Sequence, residues 1–114
     1  MSGVQLTLKQ QPALRVDLRG VVPAACDGLT LAQIERLSVT HGNQTLALAE
    51  FFAVAMTQAD DELRIEGDLS RFDRIGWQLA RGRIVVNGAV GDYAGAGMTA
   101  GSVHVHGHAG VLAA

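Results

Sequence analysis

The pattern Arg64-Ile65-Glu66-Gly67 recurs twice further along the chain, as Ile84-Val85-Val86-Asn87-Gly88 and as Val103-His104-Val105-His106-Gly107. Each copy alternates β-branched residues with others and closes on glycine, which is typical of a strand followed by a turn. The closing glycines are 21 and 19 residues apart. A repeat of this length predicts that successive copies stack on one another, because one copy cannot bury its apolar face alone.

A second repeated segment lies between these strands. The segment Ile75-Gly76-Trp77-Gln78-Leu79-Ala80-Arg81-Gly82 aligns with Ala94-Gly95-Ala96-Gly97-Met98-Thr99-Ala100-Gly101. Glycine is required where the backbone is left-handed or where two copies approach closely. We therefore predict that the structural glycines of the repeat are Gly67, Gly76, Gly82, Gly88, Gly91, Gly95, Gly97, Gly101 and Gly107.

The repeat favours a mostly β protein with a right-handed parallel β-helix, a solenoid of about three coils, over residues 63–114. The inward-facing, stacked side chains are expected to be Ile65, Ile84, Val86, Val103 and Val105. Replacing Gly88 or Gly107 by valine is expected to cost on the order of 1–3 kcal/mol of local strain.

Residues 1–62 are predicted to form a smaller mixed α/β segment that leads into the repeat. Alternating apolar residues favour strands over 4–8, 14–18 and 45–48, with a turn at Gly42-Asn43. A helix is predicted over residues 30–37, because Thr30 and Gln33 have the spacing of a capping box. Residues 51–56 fit either a strand or a buried helix.

Composition excludes several classes of function. The chain has 114 residues, a net charge of −2, one lysine and one cysteine. Scattered arginines and negative net charge argue against a nucleic-acid partner, and no apolar run is long enough to span a membrane. With no signal peptide evident and no possible internal disulfide, we expect a cytoplasmic chain that forms one domain, or one domain with a small lead-in segment.

The histidine, cysteine and aromatic residues give only weak indications of a metal, catalytic or binding site. On a predicted strand, His104, His106 and His108 would share one face and could bind Zn²⁺, but their segment offers no cysteine or carboxylate, so we favour outward-facing polar positions. Cys26 has no evident base, and we predict no catalytic residue and no bound cofactor. Trp77, Tyr93 and Met98 are possible interface residues, since aromatic side chains concentrate at interface centres; a core role for Trp77 is equally open.

Several segments together resemble one known family. They are Leu6-Thr7-Leu8-Lys9, Arg15-Val16-Asp17-Leu18, Ile34-Glu35-Arg36-Leu37, Phe72-Asp73-Arg74-Ile75-Gly76 and the glycine-rich stretch from Val86 to Met98. They are similar to the N-terminal half of the C subunit of formylmethanofuran dehydrogenase and of the related formyltransferase/hydrolase complex. The glycine-rich stretch also resembles the C-terminal domain of glutamate synthase.

The resemblance implies a non-catalytic scaffolding subunit of a complex that transfers formyl groups between tetrahydromethanopterin and methanofuran-type carriers. Its implied partners are a formyltransferase-like and an amidohydrolase-like subunit. The lysine-poor composition favours the methylotroph-type hydrolase complex over the metal-dependent dehydrogenase. The alternatives are a glycine-repeat domain of a glutamate-synthase-like amidotransferase and, ranked last, an isolated enzyme that uses the histidine run.

The chain departs from the family pattern in two places. Trp77-Gln78-Leu79 stands where glycine-rich residues are expected, and the sequence stops at Ala114 without a polar capping segment. We expect a fragment, a short paralogue, or a subunit whose open end docks on a partner.

Overall fold

The computed structural model describes residues 3–58 and 61–107, which fold as a mostly β protein with two short helices. The strands are β1 (Gly3–Leu8), β2 (Val16–Asp17), β3 (Ser38–His41), β4 (Gln44–Ala47), β5 (Phe52–Thr57), β6 (Glu62–Glu66), β7 (Phe72–Asp73), β8 (Arg83–Asn87) and β9 (Ser102–Val105). The helices are α1 (Pro23–Cys26) and α2 (Leu31–Glu35), and a 3₁₀ turn covers Leu48–Glu50.

The strands form two mixed sheets. The five-stranded sheet has the order β5-β1-β6-β8-β9, in which β1 is antiparallel to β5 and parallel to β6. The four-stranded sheet has the order β4-β3-β2-β7, in which β3 is antiparallel to both neighbours and β2 is parallel to β7.

The prediction of a right-handed parallel β-helix is therefore wrong. Both sheets contain antiparallel pairs, and these come from strands of the first half of the chain. The physical reason is that β1 adds directly to β6 and brings the antiparallel β5 with it, while the β3–β4 hairpin joins β2. The glycine repeat carries no information about these long-range pairings.

The stacking predicted for the repeated strands is confirmed. Ile65 aligns with Val86 and Val86 with Val105, while Ile84 aligns with Val103. Ile65, Ile84 and Val86 are buried, whereas Val103 and Val105 on the outermost strand are half-buried. All five belong to, or pack against, a core that draws on the whole described chain.

Local predictions in the first half also hold. Thr30 caps α2 through a reciprocal pair of bonds, with Gln33 N–H donating to the Thr30 hydroxyl and Thr30 N–H donating to the Gln33 side chain. Gly42 and Asn43 form the two-residue turn between β3 and β4. The ambiguous stretch from Phe51 is resolved as a strand, β5, because its backbone pairs along the full length of β1.

The closing glycines lie in a column across the parallel strands. A Cβ added to Gly88 would lie 1.8 Å from the carbonyl oxygen of Gly67. One added to Gly107 would lie 2.4 Å from the carbonyl of Gly88. At the end of each strand, the α-carbon of the closing glycine contacts the peptide group of the glycine that closes the preceding parallel strand. A side chain at this position therefore has no room.

The intervening segments stack in the same way. Gly95 N–H donates to the Ile75 carbonyl at 2.7 Å, and Ser102 N–H donates to the Gly82 carbonyl at 3.1 Å. A Cβ on Gly91 would lie 2.5 Å from the Phe72 carbonyl oxygen. Positive φ is shared by Gly76, Gly82, Gly95, Gly97 and Gly101.

Candidate interaction surface

A cluster of one arginine and two aromatic rings lies where the turns after β7 and β8 meet. The guanidinium of Arg74 lies 5.3 Å from the ring centre of Trp77 and 5.4 Å from that of Tyr93. Its Nη1 donates to Asp17 Oδ2 at 3.0 Å. All four residues are half-buried. We call these four residues, Asp17, Arg74, Trp77 and Tyr93, the arginine–aromatic cluster.

The repeat brings these side chains together. Arg74 precedes the first repeated segment and Tyr93 precedes the second, so the two occupy equivalent positions. Arg74 N–H donates to the Asp92 carbonyl at 2.9 Å, which fixes one turn against the other. The ring of Tyr93 is therefore placed beside the guanidinium of Arg74.

Both equivalent positions have left-handed backbone, with φ of 59° at Arg74 and 63° at Tyr93. A residue other than glycine in this region costs roughly 1–2 kcal/mol. Most other left-handed positions of the repeat hold glycine, for example Gly76 and Gly95, and Gln78, with a φ of 56°, is a further exception. Long side chains are thus kept at two positions where glycine would be less strained, and strain of this kind concentrates at functional positions.

A second arginine adjoins the cluster through carboxylates. Arg15 donates through Nε to Asp73 Oδ2 at 2.8 Å and through Nη2 to Asp73 Oδ1, and its Nη2 lies 3.7 Å from Asp92 Oδ2. Burial alone would raise the pKa of Asp73. The hydrogen bonds from Arg15 and from the Asp92 backbone, with the charges of Arg15 and Arg74, instead hold that pKa below its ordinary value.

Two further groups of ion pairs join distant parts of the chain. Arg81 binds Asp27 and also donates to Asp61 Oδ1 at 3.1 Å, linking the segment after α1 to the start of the repeat. Arg83 donates through Nε to the buried carboxylate of Glu62 at 2.9 Å. These carboxylates are engaged by guanidinium groups that tie separate segments of the chain together.

The structure joins two of the three predicted interface residues. Trp77 and Tyr93 flank the same guanidinium, whereas Met98 is partly buried against the hydrophobic core. Their role as interface residues stays a prediction.

The histidine run falls partly outside the described residues, because His108 lies beyond them. His104 and His106 are exposed, on the edge strand β9 and just after it. Within residues 3–58 and 61–107 there is no cluster of three metal-ligating side chains, no cavity, and no helix long and apolar enough to cross a membrane.

Sequence reasoning from the aromatic residues missed Arg74, Asp17 and Arg15. A signal was present, because Arg15-Val16-Asp17 and Asp73-Arg74 carry opposite charges in two short segments that pair in parallel. That signal could be used only with the β2–β7 register, in which Val16 aligns with Phe72.

Comparison with known proteins gives a consistent set of relatives. No protein-family model matches the chain. It is 35% identical over 101 residues to the C subunit of the tungsten-containing formylmethanofuran dehydrogenase 2 of Methanothermobacter wolfeii, covering 85% of this chain and 37% of the relative. It is 38% identical over 90 residues to the C subunit of the molybdenum-containing formylmethanofuran dehydrogenase 1 of Methanothermobacter marburgensis. This match covers 78% of this chain and 22% of the relative.

A bacterial complex gives both a sequence and a structural match. The C subunit of the formyltransferase/hydrolase complex Fhc of Methylorubrum extorquens is 40% identical over 77 residues, covering 68% of this chain and 29% of the relative. A chain in the crystal structure of that complex with methylofuran superposes with a TM-score of 0.70 at 30% identity, covering 93% of this chain and 47% of the other. The match thus spans between 22% and 37% of the length of the three relatives found by sequence.

Proposed function

Because the chain belongs to the family of C subunits of formylmethanofuran dehydrogenases and formyltransferase/hydrolase complexes, we propose that it is a non-catalytic structural component of such a complex. It binds no cofactor of its own and contacts a formyltransferase-like and an amidohydrolase-like subunit. Those partners carry the chemistry, in which a formyl group passes between tetrahydromethanopterin and a methanofuran-type carrier.

The observation that carries this proposal is the agreement between sequence and structure. The relatives named by sequence and the superposed chain are all subunits of complexes, and the structural match at 30% identity covers 93% of this chain. That chain comes from the hydrolase-type complex, and the relatives found by sequence include C subunits of both the hydrolase and the dehydrogenase types.

The side-chain chemistry supports a structural role. Asp73, Glu62 and Asp17 are each bonded to an arginine, and Asp27 and Asp61 share Arg81. Carboxylates held in this way position the backbone, and the pKa of Asp73 is lowered, whereas a general acid requires a raised pKa. The chain therefore uses its charges to fix one loop against another.

We further propose that the arginine–aromatic cluster is a contact point for a partner subunit. Tryptophan, tyrosine and arginine are the residues most enriched among those that dominate binding energy at protein interfaces. Here the three lie together and half-buried, and two of them stand on strained backbone. Rings fixed in this way lose little conformational freedom when a partner covers them.

Co-purification of the tagged full-length chain from its native host tests the proposal. We expect formyltransferase-like and amidohydrolase-like subunits to elute with it and to be identified by mass spectrometry. A lone monomer, or recovery with a glutaminase subunit instead, would contradict the proposed complex.

A variant pair tests the proposed contact point separately. Trp77→Ala combined with Tyr93→Ala should weaken partner binding by more than about tenfold, since two central contacts are truncated. Met56→Ala, which alters an exposed side chain on β5, is the matched control and should bind as the unmodified chain does. If the double variant retains its partners, the cluster is not the contact point although the complex stands.

A further inference from the structure

A histidine accepts a hydrogen bond from the backbone of the loop that joins β1 to β2. Leu14 N–H donates to His41 Nε2 at 3.0 Å. The imidazole ring packs against Phe51, whose ring centre lies 5.4 Å away at an interplanar angle of 59°. Since a backbone N–H can only donate, Nε2 must carry a lone pair and His41 must be neutral in this arrangement.

The loop over residues 9–15 is held at its ends by backbone bonds, from Lys9 N–H to the Phe51 carbonyl at 2.8 Å and from Gly42 N–H to the Arg15 carbonyl at 3.3 Å, and along its first part by side-chain contacts. Gln10 donates to the Glu50 carbonyl at 3.1 Å and Gln11 to the Asp68 carbonyl at 3.0 Å. Arg71 donates to the Pro12 carbonyl at 2.8 Å. These bonds hold the first part of the loop, whereas the His41 bond ties Leu14, near its end, to β3.

The charged residues near His41 have other partners or are exposed. β3 packs against β2 and β4, and β4 carries no charged residue. Asp17 on β2 is bonded to Arg74, and Arg15 in the loop is bonded to Asp73. Lys9 in the loop and Glu50 in the 3₁₀ turn are exposed. Within the described part of the chain, no ion pair links His41 to a carboxylate that would favour its charged form in place.

We propose that His41 is a proton-sensitive tether of this loop. In its neutral form it holds Leu14 against the β3–β4 hairpin. When it is protonated, two N–H groups face each other, the bond is lost and the backbone at Leu14 is released, while Arg15 stays bonded to Asp73. Leu14 is already 56% exposed and lies beside Gly42, so its displacement leaves the core unchanged.

Amide hydrogen exchange of the full chain as a function of pH tests this proposal. Between roughly pH 8 and pH 5, the range in which histidine changes charge, the protection factor of Leu14 should fall about fivefold or more. That factor corresponds to the loss of one ordinary hydrogen bond. The fall should follow the protonation of His41 seen by NMR of the imidazole, while amides of β1 and β6 stay protected.

Two variants separate the tether from a general effect of acid. His41→Gln offers a side-chain oxygen that accepts the Leu14 N–H at every pH, so Leu14 protection should become independent of pH. His104→Gln, on the edge strand β9, should leave the pH dependence of the unmodified chain intact. The proposal is overturned if Leu14 protection in the unmodified chain does not change as His41 titrates, or if the same change persists in His41→Gln.

Discussion

Replacing Gly88 by alanine should destabilise the protein far more than replacing an open glycine that also has positive φ. Gly88 has a φ of +147° and its added Cβ would lie 1.8 Å from the Gly67 carbonyl oxygen. Gly28 also has a positive φ, +74°, but has no atom within 4 Å of an added Cβ. Gly28→Ala therefore measures the conformational cost alone, and Gly88→Ala adds the clash.

The size of the difference follows from the contacts that must open. A residue other than glycine costs roughly 1–2 kcal/mol at the φ of Gly28, and no less at the φ of +147° of Gly88. To relieve the clash, the backbone at residue 88 must move away from Gly67. This lengthens the bonds from Gly67 N–H to Asn87 and from Leu69 N–H to Ala89, now 3.1 and 2.9 Å. At about 1 kcal/mol for each bond, Gly88→Ala should lose about 2 kcal/mol more than Gly28→Ala.

Urea unfolding of both variants and the unmodified chain measures this difference directly. A domain of this size has a total unfolding free energy of about 5–15 kcal/mol, so Gly88→Ala should still fold but with a clearly lower midpoint. Equal m-values would show that only the folded state has changed. If the two variants differ by less than about 0.5 kcal/mol, the close approach of the strand ends is not what requires glycine at position 88.

Individual contacts elsewhere in the chain lead to three more expected outcomes. Asp73 has a pKa held below its usual 3.8, so the stability it contributes is present above that pH and is lost as the pH falls below it. In urea titrations, the destabilisation by Arg15→Ala should therefore be largest near neutral pH and shrink in acid, whereas Arg19→Ala, at an exposed position, should have little effect at any pH. Burial, with the adjacent Asp27 charge, raises the pKa of Cys26 to about 11, so a thiol reagent near pH 8 should react many times more slowly with the folded chain than in urea, and equal rates would refute this. Thr30→Ala removes one half of the capping box of α2 and should cost about 1 kcal/mol of unfolding free energy, with Thr30→Ser as the variant that retains it.

The repeat in the second half of the chain could be predicted because its signals are local. Alternation in residues 84–88 indicates which side chains face inward, and the glycine spacing aligns Val86 with both Ile65 and Val105. The capping box at Thr30 is equally local. In these places a few neighbouring residues determine the structure.

The sheet topology could not be predicted because it depends on pairings between distant segments. β1 has an alternation that fits any edge or central strand, and nothing in it specifies a parallel partner at Leu63 and an antiparallel one at Met56. Once β1 and β5 join the parallel strands, the sheet is mixed. A fold assigned from the repeat alone therefore applies the parallel pairing of the second half to strands of the first half that in fact form antiparallel pairs.

The candidate site was predicted in part for the same reason. Aromatic residue type alone points to Trp77 and Tyr93, whereas Met98, also predicted at the interface, packs on the core. Arg74 was overlooked because an arginine in a turn is ordinarily a solvated charge. Its importance becomes visible only when the two turns are stacked and its guanidinium lies close to both rings.

The position of β1 between β5 and β6 has a consequence for the order in which the protein can fold during synthesis on the ribosome. β1 precedes both of its pairing partners, residues 52–57 and 63–66, in the sequence, so it leaves the ribosome before either of them. At a synthesis rate of about 5–20 residues per second, Val4 and Leu6 wait several seconds without a partner. During that interval the nascent chain presents an unpaired apolar strand, whose open edges can pair with strands of other chains.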